Sequence, residues 1–468
     1  MKRVLAILLA ASMLLVGSSL FAENLNLTFE DDSDVSNWGN YDQDNMWTSA
    51  SWDATGGVDG TGALKLHDGG WGFLSKRPIT ATIGNKYRLT VSVKTTNWAD
   101  PYFLYLKVEG IGETDSVAVN SDGVFTTYTL MGTVTADSGY IKFEGMNTGT
   151  ESDVWVDNLV FEDGLSTSDI VINEIYYNPP TIQGDDSDWE FLELFNTTDR
   201  DIPLEGYAIT EGIKYTFVQE DTIKANSYFV LAYNAANYPG SVQWTSGGLK
   251  NSGEDIVLKD AAGNTVDSVD YDDHGDWSWL ADGKGASLSL ADPYGDHNDP
   301  ANWYPSAFGG TPGEANGPRG VWVNFRANTA TVPDTMSKNS VVQVRGSNPP
   351  LEWNGGSLIF LENEAVPEDD PYGSSDYWVG GGLFPAEVTY YKFYTNASHN
   401  TVSPGVEWEH QGWEANVDPA SNDRILDLTG FTGSDTTLPV QYVNGWADKP
   451  GQYAHPWESN DTSFVVWL

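Results

Sequence analysis

The sequence predicts an all-β protein built from three tandem β-sandwich domains, and three observations lead to that class. Apolar and polar residues alternate with a period of two, as in YRLTVSVKT (87–95), VWVDNLVFE (154–162) and EFLELFN (190–196). Turns rich in Gly, Asn and Asp separate these segments at short intervals, and the 468 residues include 48 glycines. No long segment combines a 3.6-residue periodicity with helix caps. This pattern is typical of strands packed as sandwiches.

Residues 1–22 have the features of a secretory signal peptide. Lys2 and Arg3 precede an apolar run (4–16), and small residues follow as far as Ala22. This order predicts export, with cleavage after Ala22. No later stretch reaches the roughly 18 apolar residues that a membrane-spanning helix requires. The chain has no cysteine for a lipid or a disulfide, so we expect a secreted, extracellular bacterial protein that is stable without disulfides and does not insert into membranes.

Charge and aromatic content narrow the possible partners. Asp and Glu outnumber Lys and Arg 67 to 23. Because nucleic-acid binding needs clustered Lys and Arg, and no cluster follows residue 3, nucleic acid is excluded as a partner. The acidity serves either solubility outside the cell or the binding of calcium, and the composition leaves both open.

The 19 Trp and 23 Tyr exceed the needs of the cores, and flat aromatic faces are suited to stacking on sugar rings.

Two polar, turn-rich stretches, GLSTS (164–168) and GGTPGEANGPRG (309–320), are typical of exposed linkers. They divide the chain into three modules: the first module (23–164), the second module (165–316) and the third module (317–458). The remaining residues, 459–468, contain the apolar SFVVWL, which echoes VWVNF (321–325). We therefore expect a truncated further repeat or domain to start there.

The first module opens with LNLTFEDDSDVSNW and closes with DVWVDNLVFED. In both respects it resembles the jelly-roll carbohydrate-binding modules attached to many polysaccharide-degrading enzymes. The resemblance implies a structural calcium shared by Glu30 and Asp157, whose oxygens suit a hard cation; the alternative is that both carboxylates merely occupy strand ends. It also implies a groove or loop tip lined with rings, each of which either contacts sugar or packs internally. Because of their Gly- and Asp-rich surroundings, the rings expected to be exposed are Trp38, Trp47, Trp52, Trp71 and Trp98.

The second module contains IVINEIYYNPP, then EFLELFNTTDRDIPLEGYAI, and closes with TPGEAN. It resembles a lamin tail domain through Asn173, Glu174, the E-L-x-N stretch (193–196) and the closing T-P-G-x-x-N (311–316). The resemblance implies an immunoglobulin-like sandwich that contacts proteins or surfaces and has no known ligand. His274 and His297 lie among aspartates in YDDHGDWSW and DPYGDHNDP, which suit either a metal or loop solvation. Neither stretch keeps the ligand spacing of a known cation loop.

The third module, with VVQVRGSNPPLEWNGG, TYYKFYTN, VEWEHQGW and NDRILDLTG, resembles the starch-binding domains of carbohydrate-binding family 20. The resemblance implies an immunoglobulin-like sandwich on which two rings form a platform for an α-glucan. The corresponding residues here are Trp353, Lys392, Trp408, Glu409 and Asn422. Residues 410–421 are inserted relative to the family pattern, so Trp413 either replaces or joins Trp408. Trp378 and Phe393 are expected in the core. The alternative is a sandwich that kept the fold and lost the sugar site.

No catalytic motif is present: H-E-x-x-H, G-x-S-x-G, a phosphate loop and a His-Cys pair are all missing from the sequence. Two carboxylates suffice for glycoside hydrolysis, but none of the three resemblances implies catalytic residues. The sequence therefore predicts a secreted, non-catalytic protein that binds polysaccharide or oligosaccharide, starch or another α-glucan, and assists polysaccharide degradation. Three alternatives stay open: a cell-surface adhesin or scaffold that binds proteins, the N-terminal part of a secreted hydrolase with its catalytic domain beyond Leu468, and a hydrolase within the chain itself.

Overall fold

The computed structural model describes residues 24–40, 48–69, 72–96, 104–112, 115–119, 123–145, 151–329, 340–364, 375–395, 413–414 and 423–443. The predicted signal peptide and the segment 459–468 lie outside these residues. Within them the regular elements are β-strands and short 3₁₀ helices, and the predicted all-β class is confirmed. None of the helices in this part of the chain is long and apolar enough to cross a membrane.

The chain divides into two compact units, Met1–Thr167 and Ser168–Leu468. The described part of the first unit has two 3₁₀ helices, Asp32–Val35 and Val58–Gly60. Its strands are β1 (Leu25–Leu27), β2 (Gly39–Asn40), β3 (Thr48–Asp53), β4 (Ala63–Asp68), β5 (Phe73–Thr80), β6 (Lys86–Thr96), β7 (Leu104–Glu109), β8 (Asp115–Val119), β9 (Thr126–Thr133), β10 (Ser138–Gly145) and β11 (Ser152–Leu165).

These strands form two antiparallel sheets. One has the order β3-β4-β11-β6-β9, with β1 added against β11, and the other has the order β2-β5-β10-β7-β8. The alternation predicted for 87–95 is confirmed in β6, where Tyr87, Leu89, Val91 and Val93 are fully buried. Since side chains of a strand point alternately to its two faces, one face of β6 closes the core of the first unit.

In the second unit, the second module contributes β12 (Ile170–Tyr176), β13 (Phe191–Asn196), β14 (Ile202–Pro203), β15 (Ala208–Glu211), β16 (Tyr215–Thr216), β17 (Thr222–Ile223), β18 (Tyr228–Ala232), β19 (Val242–Gln243), β20 (Glu254–Lys259), β21 (Thr265–Tyr271), β22 (Leu288–Leu290) and β23 (Trp303–Pro305). Its 3₁₀ helices are Thr181–Gln183, Asp186–Trp189, Ala235–Asn237, Trp279–Ala281 and Pro300–Asn302. The sheets have the orders β19-β18-β13-β12-β22-β23, β16-β15-β20-β21 and β14-β17.

The core of the second module is centred on β12 and β13. Every residue of β12 is buried, as a strand covered on both faces requires. Phe191, Leu192 and Leu194 of β13 are also buried, as expected from the EFLELFN pattern. Phe195 is half-buried and stacks on Tyr228, with ring centroids 4.9 Å apart.

The third module contributes β24 (Gly320–Asn328), β25 (Val342–Gly346), β26 (Ile359–Asn363), β27 (Tyr377–Pro385), β28 (Val388–Thr395), β29 (Arg424–Asp427), β30 (Asp435–Thr437) and β31 (Gln441–Tyr442). They form one sheet with the order β29-β28-β25-β26-β27-β24-β30, and β31 also pairs with β24. Trp378 and Phe393 are buried in this module's core, as predicted.

A small apolar cluster, the junction core, joins the second and third modules. Leu280 and Ala286 of the second module are fully buried together with Leu383 of the third, and Trp322 packs against them. The ring of Trp279 lies 6.1 Å from that of Trp322. Because this cluster is apolar and excludes water, it fixes the two modules against each other.

Candidate functional site

Three aromatic rings converge on the third module, and we call Trp353, Tyr394 and Trp413 the ring surface. Trp353 lies in the turn between β25 and β26, and Trp413 forms an isolated β-bridge with Tyr394 of β28. The two tryptophan rings have centroids 6.0 Å apart and planes inclined by 43°. Tyr394 meets Trp413 edge-on at 5.2 Å. All three side chains are half-buried, so they are held in place and remain accessible.

The guanidinium of Arg345 supports the ring surface from β25. It lies 3.3 Å from the ring centroid of Tyr394 and 5.3 Å from that of Trp413. Its Nε donates to Oε1 of Gln343 at 2.6 Å. Gln343 is buried and donates in turn to the carbonyl of Ser357 at 2.6 Å. Arginine stacked on aromatic faces is stabilised by cation–π attraction, and here a hydrogen-bond chain also sets its orientation.

Trp413 owes its position to the residue that follows it. The side chain of Glu414 is fully buried, and its carboxylate accepts hydrogen bonds from the backbone N–H of Phe393 at 3.1 Å and from Arg424. A bidentate Arg–carboxylate pair has a fixed geometry. It therefore anchors Glu414 against β28, with Trp413 beside Tyr394 on the exposed side.

The other predicted residues of the third module are only partly placed. Lys392 lies on β28 directly opposite Arg345 of β25. Its Nζ is 3.8 Å from the carboxylate of Asp423, and its side chain is 12% exposed. Lys392 thus shares the sheet face of the ring surface and faces an acidic partner. The residues Trp408, Glu409 and Asn422 lie outside the described residues.

The tryptophans predicted to be exposed on the first module differ in how much of each side chain is exposed. For Trp38 the prediction is wrong: the side chain is 5% exposed and packs in the core, 6.0 Å from the ring of Phe143. Trp52 of β3 is 39% exposed, and its Nε1 donates to the carbonyl of Phe29 at 2.8 Å. The other three, Trp47, Trp71 and Trp98, lie outside the described residues.

The carboxylates expected to share calcium have different surroundings. Asp157 is buried and accepts hydrogen bonds from the backbone N–H of Val58 at 2.8 Å and of Asn158 at 2.7 Å, whereas Glu30 is exposed. The oxygens nearby are of the type that calcium prefers. A Cβ added at Gly57 would meet the carbonyl oxygen of Gly62 and Oδ2 of Asp157. Both oxygens of the Asp157 carboxylate thus accept from backbone N–H groups, and a calcium shared by Glu30 and Asp157 stays a prediction.

The aspartate-rich loop of the second module brings three potential ligands together. Single ligand atoms of Asp272, Asp273 and His274 lie within 4.8 Å of one another. His274 is strongly exposed, and its hydrogen bond to Asp273 raises its pKa. His297, by contrast, is buried and hydrogen-bonds to Asp267 at 2.8 Å. It therefore has a structural role in the second module.

The motif residues of the second module form a buried polar cluster. The carboxylate of Glu174 accepts hydrogen bonds from the hydroxyls of Ser287 and Ser289 and from the backbone N–H of Thr311. Burial outweighs these donors and raises the pKa of Glu174 to about 7. Gly310 adopts φ +69, and a Cβ there would lie 2.6 Å from Oε1 of Glu174. Only glycine fits this close approach.

The same cluster continues to the second buried carboxylate. Glu193 accepts hydrogen bonds from the side-chain amide of Asn173 at 2.7 Å and from the backbone N–H of Gly313. Asn173 also donates to Asn316 at 2.9 Å. Burial, with the charge of Glu174 added, raises the pKa of Glu193 to about 8. The N-E, E-L-x-N and T-P-G-x-x-N motifs are thus parts of one hydrogen-bonded cluster, which ties the closing segment to the first two strands of the module.

Residues 165–273 match the lamin tail domain family. This lamin tail segment contains β12 to β21, including both buried glutamates. A search of curated proteins found no match.

Solved structures similar to parts of the chain include carbohydrate-binding modules. The CBM22-1 xylan-binding domain of Xyn10C from Paenibacillus barcinonensis is 12% identical, with a TM-score of 0.24, and the match covers 30% of this chain and 94% of that one. The family 11 carbohydrate-binding module of the cellulosomal cellulase Lic26A-Cel5E of Clostridium thermocellum is 14% identical, with a TM-score of 0.23, covering 30% and 95%. The CBM22-1–GH10 modules of xylanase 10B of Clostridium thermocellum are 16% identical, with a TM-score of 0.22, and the match spans 30% of this chain but only 28% of theirs.

Proposed function

We propose that this is a secreted, non-catalytic carbohydrate-binding protein whose third module holds a sugar chain on the ring surface. The observation that supports the proposal is the pair Trp353 and Trp413, whose inclined rings lie 6.0 Å apart outside the hydrophobic core. Pyranose C–H groups pack against aromatic faces while the sugar hydroxyls keep their hydrogen bonds. Two rings inclined by 43° suit a chain that curves.

The strength of such a site follows from the number of rings. By analogy with bases stacked on aromatic side chains, each ring contributes about 1–3 kcal/mol. Two or three stacked rings then give dissociation constants on the order of micromolar to millimolar. Modules of this strength act by keeping a protein on a polymer with many sites, since multivalency raises the overall affinity.

Starch, or another α-glucan, is the ligand to test first, because the third module resembles starch-binding domains. The proposal also includes export by residues 1–22 and a structural calcium at Glu30 and Asp157. A second candidate function, a surface scaffold that binds proteins, is favoured by the lamin tail match at 165–273.

Affinity electrophoresis of the full chain in starch, xylan and β-glucan gels tests the proposal. We expect retardation in at least one gel, and we expect Trp353→Ala and Trp413→Ala to weaken it about 5- to 100-fold. Trp279→Ala is the matched control, because Trp279 is a 42% exposed tryptophan on the second module. Migration unchanged by every gel would contradict sugar binding and favour the protein scaffold. Release of reducing sugar from the same polymers would instead show that the chain is a hydrolase.

A further inference from the structure

The charge next to the ring surface indicates which sugars it prefers. In the described part of the chain, Arg88, Arg200, Arg326 and Arg424 each form an ion pair with a carboxylate. Arg345 forms no such pair with the described residues, although the chain has 67 Asp and Glu. A half-buried cation with no acid among the described residues carries a desolvation cost, and burial lowers the pKa of Arg345.

The guanidinium of Arg345 is also held in one orientation. One planar face lies on the ring of Tyr394, and its Nε is committed to Gln343. The turn that carries Trp353 passes close by, since a Cβ at Gly355 would lie 3.3 Å from Nη2. An arginine oriented in this way loses less conformational entropy when it binds a ligand.

The neighbouring cations are already neutralised. Lys392, directly opposite Arg345 on β28, faces Asp423 at 3.8 Å, and Arg424 is bound by the buried Glu414. Among the described residues, the positive charge available at the ring surface is therefore that of Arg345. A guanidinium binds a carboxylate through parallel N–H···O bonds and does so more strongly than it binds a neutral hydroxyl.

We propose that Arg345 makes the ring surface selective for saccharides that carry a carboxylate, that is, for uronic-acid units in a sugar chain. This inference rests on the proposed function and narrows its ligand class. A sugar ring stacks on Trp353 or Trp413, and the carboxylate on the same or the next unit pairs with Arg345. A neutral glucan uses the rings alone.

The experiment compares ligands that differ only in charge. Isothermal titration calorimetry of the full chain is carried out with a short oligogalacturonate and with its methyl ester, at physiological ionic strength. Short oligomers are used because the formal net charge of −44 repels long polyanions. We expect the acid to bind about tenfold more tightly than the ester, since hydrogen bonds to charged groups are the stronger ones. The ratio should fall as salt is added.

Variants separate recognition from structural support. Arg345→Gln should bring the acid-to-ester ratio to about one, whatever ester binding loses with the support that Arg345 gives to the rings, and Arg345→Lys should restore part of the ratio. Arg326→Gln is the matched control, because Arg326 also lies over a tyrosine, Tyr377 at 4.4 Å, but is paired with Glu364.

Equal binding of acid and ester by the unmodified chain overturns the inference and leaves sugar binding intact. An equal loss for both ligands in Arg345→Gln and Arg345→Lys also overturns it, because Arg345 then only supports the rings. If no saccharide binds at all, the proposed function fails as well.

Discussion

The buried carboxylate of Glu414 is bound at both oxygens by the guanidinium of Arg424, 2.9 Å from Nε and 3.1 Å from Nη2. Glu414 follows Trp413 directly in the chain. A sugar that stacks on Trp413 does not need to touch either charged group. The pair nevertheless decides where the ring lies, because Glu414 is also bound by the backbone N–H of Phe393.

Replacing Glu414 by Gln should therefore affect stability and binding together. Loss of the carboxylate charge removes the buried ion pair with Arg424, which costs about 3–5 kcal/mol. We expect lower thermal stability of the third module by calorimetry and weaker retardation in the glycan gel that retards the unmodified chain. The matched control is Glu364→Gln, which breaks the more exposed pair with Arg326 and should cost less than about 1 kcal/mol. Equal effects of the two substitutions would contradict the anchoring role of Glu414.

The second module should be more stable at pH 5.5 than at pH 8.5. The pKa values of Glu174 and Glu193 are raised in the folded chain to about 7 and about 8, from an ordinary 4.5. A carboxyl with a raised folded pKa stabilises the fold fully below its unfolded pKa, and this contribution is lost as the pH rises through the folded pKa. At about 1.4 kcal/mol per pH unit for each group, the two shifts correspond to a loss on the order of 5 kcal/mol between these pH values, measured by differential scanning calorimetry.

Glu193→Gln tests the origin of that pH dependence. The variant has a lower overall stability, because an amide cannot accept at both oxygens of the original carboxylate. Its unfolding temperature should nevertheless vary less with pH than that of the unmodified chain, since one of the three carboxyls of the second module with a raised pKa, Glu174, Glu190 and Glu193, is gone. An unchanged pH dependence would show that groups outside the cluster cause it.

Trp38 and Trp52 should respond differently to truncation. Trp38→Ala opens a cavity beside Phe143 in the core of the first unit and should cost about 3–5 kcal/mol, without changing retention in glycan gels. Trp52→Ala removes an exposed ring and one hydrogen bond to a carbonyl, so its cost should stay near 1 kcal/mol. Urea denaturation of both variants measures the difference, and similar midpoints for the two would contradict the burial of Trp38.

Calcium should stabilise the first module if Glu30 and Asp157 hold it. Adding the ion raises the unfolding temperature in proportion to the logarithm of its concentration, and a chelator reverses the shift. Asp157→Asn should abolish the heat of calcium binding in a titration. Asp255→Asn, at an exposed aspartate of the second module, is the control and should leave that heat unchanged. An unmodified chain that shows neither heat nor shift would exclude the site.

The fold was predictable because alternation along a strand is a local property. The segment 87–95 has its apolar side inward, as its period of two indicates. In β13 the adjacent Phe191 and Leu192 point to opposite faces and are both buried, because that strand is covered on both sides. The exposure of Trp38 was mispredicted for a related reason. Its glycine-rich surroundings indicate a turn, but they do not say whether the ring points to solvent or into the core, and here it points into the core.

The candidate site was only partly predictable. Trp353 and Trp413 are visible as tryptophans in loop-like surroundings, and Trp413 has a signal of its own, because the Trp-Glu pair at 408–409 recurs at 413–414. Arg345 has no such signal. It meets Tyr394 only because β25 pairs with β28 across some fifty residues of sequence. Which strands become neighbours depends on the tertiary fold and not on a local pattern.

The junction core has a practical consequence for anyone who isolates these modules. A third module produced alone exposes the apolar surface of Trp322 and Leu383 to water, and such patches promote aggregation. The smallest piece suited to handling in solution is therefore the tandem of the second and third modules. Within that tandem the junction core also fixes the orientation of the ring surface relative to the lamin tail segment.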